Sequence, residues 1–339
     1  MNSRNTAARD MAHLVSFDTV WTEITKAYDT TFLKALLKMP GVHVYAFGGI
    51  VVDLSLGNQW KDLDLRVIYE ERDRSLRKMI LDVLKRYTSI VQEFSFPGGV
   101  AYRVYAPAEK RTLIDVTVSG DFEGVRIDSK ICAIFIDLKS GTVRELYKGS
   151  IEDFKNGIIR PINGQIEQIA ENPLYLFRAL KLAVKTRFAI DVQFEKILRD
   201  KRFLIRKAVS DTVSYLRENG KDSIGENFLG SIFGGLRQDA PMYVNLLIDY
   251  GFLEEMCEEL QKLGYGKNNS MKTSFDCEPF KNELVFEEKL SLFLSSIAKS
   301  ISDSPSVCFE SLKKAFAFDT DRSDGNEFVV DPTKIVFVS

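Results

Sequence analysis

An apolar run, Val42 to Phe47, stops at two consecutive glycines, Gly48 and Gly49, and two aspartates follow at Asp62 and Asp64. The run reads as a buried strand, and a short helical segment comes after the glycines. The aspartates open a second apolar run. Side chains alternate along a strand with period two, so Asp62 and Asp64 are expected on one face. Two carboxylates held side by side repel unless a cation lies between them. Hard oxygen ligands of this kind suit Mg²⁺ that also binds a nucleotide phosphate. The glycine pair leaves backbone N–H groups free to approach phosphate oxygens.

Composition removes several alternatives. The chain has 339 residues, enough for two or three domains, and is 45% hydrophobic and 28% charged, as in ordinary globular proteins. It contains no apolar run of membrane-spanning length, and its first ten residues lack the apolar stretch of a signal peptide. The four cysteines are far apart, which fits neither a disulfide framework nor a zinc site and predicts reduced thiols in the cytoplasm. Two histidines, His13 and His43, are too few for a His-rich metal site and argue against a Ser/His/Asp triad. The formal net charge is −2, yet Lys139 to Lys207 carries fifteen Lys/Arg against eight Asp/Glu, so a local basic surface is expected within an acidic chain.

Periodicity divides the chain into two kinds of pattern. Residues 18–38 read as one amphipathic helix ended by Pro40-Gly41. After the glycine turn and the aspartate-bearing strand, residues 70–88 read as a charged helix. Strands are predicted at 90–96, 100–105 and 112–118, with Pro97-Gly98-Gly99 as a hairpin turn. From about residue 150 the pattern is helical, with helices expected over 171–188, 192–209, 225–236, 240–261, 283–301 and 307–316. The stretch 264–275 reads as a loop or linker and 319–327 as a mobile tail.

Transfer of a phosphoryl group with metal assistance needs carboxylates on rigid elements. Asp62 and Asp64 supply a pair. Asp115 is the one acid in the apolar strand Leu113 to Val118 and is the candidate third. A lone buried charge is costly, so Asp115 needs a partner: a metal ion, or a salt bridge to Lys110 or Arg111. Together the glycine turn and the three acids point to a nucleotidyltransferase site.

At these residues the chain resembles the class II tRNA nucleotidyltransferases (CCA-adding enzymes) and the bacterial poly(A) polymerases. Their head motif, Gly-Gly-x-Val-Arg-Asp-x-Leu-Leu-Gly followed by Asp-x-Asp, is matched by Gly48, Gly49, Val51, Asp53, Leu56, Gly57, Asp62 and Asp64, with Val52 in place of the arginine. The next family motif, Arg-Arg-Asp-x-x-x-Asn-Ala, is similar to Arg126-Ile127-Asp128-Ser129-Lys130-Ile131-Cys132-Ala133. The resemblance implies that Arg126 and Asp128 meet ribose and triphosphate. The family's base-reading motif, Glu-Asp-x-x-Arg, reads here Glu171-Asn172-Pro173-Leu174-Tyr175, followed by Arg178-Ala179. Asn172 and Tyr175 thus stand where an acid and an arginine read the base, so selection is expected to differ from ordered C-then-A addition.

The resemblance covers about residues 40–260. It implies an α+β chain with a polymerase-β-like nucleotidyltransferase head with a mixed sheet over residues 1–145 and a helical neck and body over 146–263; beyond the resemblance, periodicity predicts a helical C-terminal region with a mobile tail over 264–339. The resemblance implies Mg²⁺ as cofactor, an NTP substrate and an RNA acceptor, most directly a tRNA 3′ end, with no membrane partner. Asp62, Asp64 and Asp115 are expected to be the catalytic and metal-holding acids. Gly48, Gly49, Asp53, Arg126, Asp128, Glu171, Asn172, Tyr175 and Arg178 are expected around the nucleotide. Arg178, Lys181 and Lys185 recur at i, i+3 and i+7 and share one helix side. The cluster Arg199, Lys201, Arg202, Arg206 and Lys207 is the candidate RNA-phosphate surface. Two alternatives remain open: the same chemistry on a small molecule or protein, and an inactive fold kept as an RNA-binding or interaction module.

Overall fold

A computed structural model of the chain describes residues 13–316, apart from 71–73, 97–98, 107–112, 123–126, 222, 266–283 and 303. Two helices come first, α1 (Phe17–Ala27) and α2 (Thr31–Leu37). The single helix expected over 18–38 is therefore divided. Tyr28 is extended, and the Asp29 carboxylate accepts the Thr31 N–H at 2.9 Å and its hydroxyl at 2.6 Å. Such a side-chain turn competes with the helix for the backbone. Both pieces keep their apolar sides inward, with Val20, Ile24, Phe32, Leu33 and Leu36 fully enclosed.

Next come β1 (Val42–Phe47), the short helix α3 (Gly49–Ser55), β2 (Leu63–Tyr69), α4 (Arg74–Tyr87), β3 (Ser89–Phe96), β4 (Gly99–Tyr105) and β5 (Leu113–Ser119), in the predicted order. Asp62 sits just before β2 rather than within it. The turn residues Pro97 and Gly98 lie outside the described residues, as do Lys110 and Arg111. Two strands not read from the sequence, β6 (Ile134–Asp137) and β7 (Val143–Glu145), complete a seven-stranded mixed sheet in the order β3-β4-β5-β2-β1-β6-β7. The β2–β5 pair is parallel and its neighbours are antiparallel.

One sheet face carries Val44, Ala46, Leu65, Val67, Val104 and Val116 into the main core beneath the N-terminal helices. The other face is mixed. At the β1–β6 side, Tyr45, Phe47, Phe122 and Phe135 form an aromatic cluster, with Phe47 and Phe135 stacked at 4.7 Å. Arg66 lies on this face at 1% exposure. Its guanidinium donates to the Asp121 carbonyl at 2.9 and 3.3 Å, which satisfies part of a charge that burial pushes down to about 10. The acids of the sequence motif occupy the rest of this face.

The remaining elements are α5 (Ser150–Lys155), β8 (Ile158–Ile159), α6 (Gln165–Glu171), α7 (Leu174–Thr186), β9 (Ala189–Ile190), α8 (Val192–Asp200), α9 (Leu204–Asn219), α10 (Ser223–Ile232), α11 (Gly234–Asp249), α12 (Phe252–Lys262), α13 (Phe286–Ile301) and α14 (Pro305–Ala315). Strands β8 and β9 make a two-residue parallel pair; otherwise this half is helical. The helix expected over 192–209 is interrupted at 201–203, giving α8 and α9. Helix α11 kinks at Asp239, shortly before Pro241, whose ring cannot continue the hydrogen-bond ladder.

Helix α7 is the centre of this half, packed by α10 and α11. Every one of its residues is buried except Arg178, Lys181 and Lys185. The loop predicted over 264–275 lies beyond Tyr265 outside the described residues, and the tail 319–327 does so entirely. Among the described residues no helix is long and apolar enough to cross a membrane, and Cys132, Cys257 and Cys308 are free thiols.

Candidate active site

Sheet register sets the site. Phe47 on β1 pairs with Asp64 on β2, Asp64 with Asp115 on β5, and Asp115 with Arg103 on β4. The four residues therefore form one row across the sheet, on one face. Gly48 caps this row. Its φ is +69°, a region that disfavours any side chain, and a Cβ there would stand 3.0 Å from Asp64 Oδ2. Around Gly49 the space a Cβ would take is open. The glycine pair thus exposes backbone directly beside the carboxylate.

Asp64 is partly buried, and its carboxyl is pushed up to about 7, first by burial and then by Asp115, Asp62 and Asp128; Arg103 opposes the shift. Asp62 is exposed at the mouth. Lys110 and Arg111, the salt-bridge partners considered for Asp115, lie outside the described residues. Arg103 holds Asp115: Nε donates to Oδ1 at 2.8 Å and Nη2 to Oδ2 at 3.0 Å. Among the described residues no three carboxylate, imidazole or thiol groups converge closely enough to hold one ion.

The polar stripe of α7 meets two further acids, Asp53 and Asp128. Lys185 Nζ lies 2.6 Å from Asp53 Oδ1 and donates to Oδ2 at 2.7 Å. Asp53, on α3, is 2% exposed; burial pushes its carboxyl up, and Lys185 opposes the shift. Arg178 Nη1 lies 3.5 Å from Asp128 Oδ1. Its other nitrogens donate to Ser231 Oγ and Asn227 Oδ1, each at 3.2 Å, and its guanidinium lies 5.3 Å over the Tyr175 ring. Between them Lys181 donates to the Gly230 carbonyl at 3.4 Å. Burial pushes its ammonium down to about 8, against the pull of Asp128.

The other expected residues fall as follows. Arg126 lies outside the described residues. Glu171 is exposed at the end of α6. The Asn172 side-chain oxygen accepts the Leu174 N–H at 3.1 Å, starting α7. Tyr175 is 4% exposed and serves as a platform for Arg178. In the basic cluster, Arg199 donates to the Asp249 carbonyl at 2.7 Å and lies over Tyr250. Arg206 is paired with Glu255 and Glu258, and Arg202 lies 3.6 Å from Glu255. Lys201 and Lys207 have no ion-pair partner among the described residues. The sequence reading missed Arg103. The alternation Val100, Tyr102, Val104 inward leaves Arg103 on the outer face, but only the register brings that face to Asp115.

Known proteins share this fold. The chain is 26% identical over 190 residues to a CCA-adding enzyme of Lactobacillus helveticus (strain DPC 4571), covering 52% of this chain and 46% of that protein. A CCA-adding enzyme solved in complex with CTP superposes with a TM-score of 0.53 at 15% identity, over 91% of this chain and 70% of that one. A tRNA-processing enzyme complex superposes at 0.52 and 20% identity, over 84% of this chain and 74% of that one. The chain is similar in sequence to a CCA-adding enzyme and shares the fold of solved ones. It spans about half the length of that L. helveticus relative, and no family model matches it. The fold is shared with that CCA-adding enzyme over both the sheet half and the helical half of the chain.

Proposed function

We propose that the chain is a Mg²⁺-dependent nucleotidyltransferase. It transfers a nucleoside monophosphate from an NTP to the 3′ hydroxyl of an RNA, in the first instance a tRNA, with release of pyrophosphate. The observation that carries this reading is the row Asp64–Asp115 beneath the Gly48 backbone. The donor set fits a divalent ion. Asp62 and Asp64 present hard oxygens, and the Asp64 carboxyl is pushed up first by burial and then by three neighbouring acids. Asp115 shares their face as the third acid. A bound ion would neutralise the triphosphate and polarise its phosphorus–oxygen bonds.

The chain's own residues do the rest. Gly48 and Gly49 let the triphosphate approach the backbone without a side chain between. Arg178 and Lys181 present cationic groups across the cleft, with Asp128 between them and the sheet. Asp115 orients the acceptor hydroxyl and takes its proton as that oxygen bonds to the α-phosphorus, while the bond to the β-phosphate breaks. Base selection departs from the family pattern, because Asn172 is occupied with its own backbone and Tyr175 is buried under Arg178.

The test is incubation with each labelled NTP, Mg²⁺ and either tRNA lacking its 3′ terminus or total RNA, followed by gel and mass analysis. Labelled RNA formed by the wild-type chain and not by Asp64→Ala is expected. Transfer to small molecules or proteins alone moves the acceptor, and no transfer with any NTP overturns the reading.

A further inference from the structure

The acid that closes the row already has a cationic partner. Arg103 meets Asp115 through two parallel N–H···O bonds of 2.8 and 3.0 Å. This fork-on-fork geometry is the strongest form of the carboxylate–guanidinium pair. It is imposed by register, since the two residues oppose each other directly on β4 and β5. The Arg103 side chain is 23% exposed and that of Asp115 46%, so the pair stands at the lip of the cleft, open to an incoming ligand. Asp62 and Asp64 are close enough to strengthen the hold on the Arg103 proton, so one guanidinium serves three acids. Both Asp115 oxygens are turned onto Arg103, and among the described residues no three acids converge on one point.

We propose that Arg103 is a positioning residue that competes with the metal for Asp115: its guanidinium holds the third carboxylate in the metal-free site, and metal binding must take Asp115 from it. This inference rests on the metal-dependent reading above. It predicts a site that binds divalent ions through Asp62 and Asp64 at first and recruits Asp115 at the cost of the Arg103 pair. Arg103 then acts as a built-in brake on metal binding without nucleotide. Once released it is a free guanidinium beside the cleft.

The test is Mn²⁺ binding to the nucleotide-free chain, followed by electron paramagnetic resonance or titration calorimetry. Arg103→Met keeps the side-chain length and removes the charge. It is expected to bind Mn²⁺ about three- to tenfold more tightly than wild type. The gain should vanish in the double variant with Asp115→Asn, because the competitor has lost its target. Arg103→Lys keeps the charge and loses the fork, so it should fall between wild type and Arg103→Met, and it carries the test if Arg103→Met does not fold. Mn²⁺ binding that is equal in wild type, Arg103→Met and Arg103→Lys overturns the proposal and returns Arg103 to bracing two strands. A gain that persists beside Asp115→Asn overturns it too, since simple loss of a nearby positive charge would explain it. Absence of Mn²⁺ binding in every form overturns the metal reading itself, and this inference with it.

Discussion

Two basic helical stretches look alike in the sequence, and the structure uses them differently. On α7, Arg178, Lys181 and Lys185 are the only residues left unburied on an otherwise enclosed helix, and they point across to acids on the sheet domain. On α8 and α9, Arg202 and Arg206 point back to Glu255 and Glu258 on α12, and Arg199 meets the end of α11. Two of the first set, Arg178 and Lys185, meet acids from the sheet half of the chain. The second is largely neutralised within its own bundle. Density of Lys and Arg along the chain therefore does not identify a phosphate-binding face; what matters is whether the neighbouring element supplies the countercharge.

The comparison can be broken most decisively at Asp64, which lies near the Asp128 that α7 meets. Asp64→Ala should lower nucleotide transfer at least about a thousandfold, or about 4 kcal/mol of barrier. Single-turnover measurement checks this, and a rate within about tenfold of wild type would remove the catalytic meaning of the α7 face.

The next contrast is in stability. Lys185→Met leaves the Asp53 carboxylate, 2% exposed, without its cation. A loss of about 2–3 kcal/mol is expected after allowing for the partial exposure of Lys185. Arg202→Ala breaks a longer, more open contact and should cost less than about 1 kcal/mol. Urea midpoints compare the two, and equal losses would show that both stretches serve only as scaffolding.

A smaller effect concerns RNA. Lys201→Ala with Lys207→Ala should weaken RNA binding about two- to fivefold and reduce the magnitude of the log–log salt slope by about 1–2. Arg206→Ala should instead show mainly as lost stability, because it leaves Glu255 buried and short of a cation. A larger RNA effect from Arg206 than from the two lysines would reverse this assignment.

A separate expected effect is a pH slope. The folded chain holds a proton on Asp64 up to about 7, whereas an unfolded aspartate has released it several units lower. The native state therefore binds more protons in that window, and stability of the metal-free chain should fall as pH rises from about 4.5 to about 7.5. Asp64→Asn should remove that part of the slope. Denaturant midpoints across the range provide the measurement, and an unchanged slope in Asp64→Asn would place the titration elsewhere.

Local chemistry alone determined much of this. The run Val42–Phe47, the glycine pair and Asp62-Leu63-Asp64 are contiguous, so their strand, turn and shared face depend on backbone sterics and period-two alternation. The candidacy of Asp115 came the same way, as an acid in an apolar strand. Helix boundaries were legible less well. The break at Tyr28–Thr30 depends on an Asp29 turn that competes with an unbroken amphipathic stripe, and the stripe was the stronger signal. Strands β6 and β7 are four and three residues long, too short to show a period.

Tertiary structure alone decided the partners. Asp115 and Arg103 are twelve residues apart and meet because of the β4–β5 register, while Asp53 and Lys185 are 132 apart and meet only in the folded chain. A charge in a sequence carries its sign and not its distance from other charges, and electrostatic energy depends on distance and burial. That is why the acids could be read from the chain, while the cations that hold them could be assigned only from the fold.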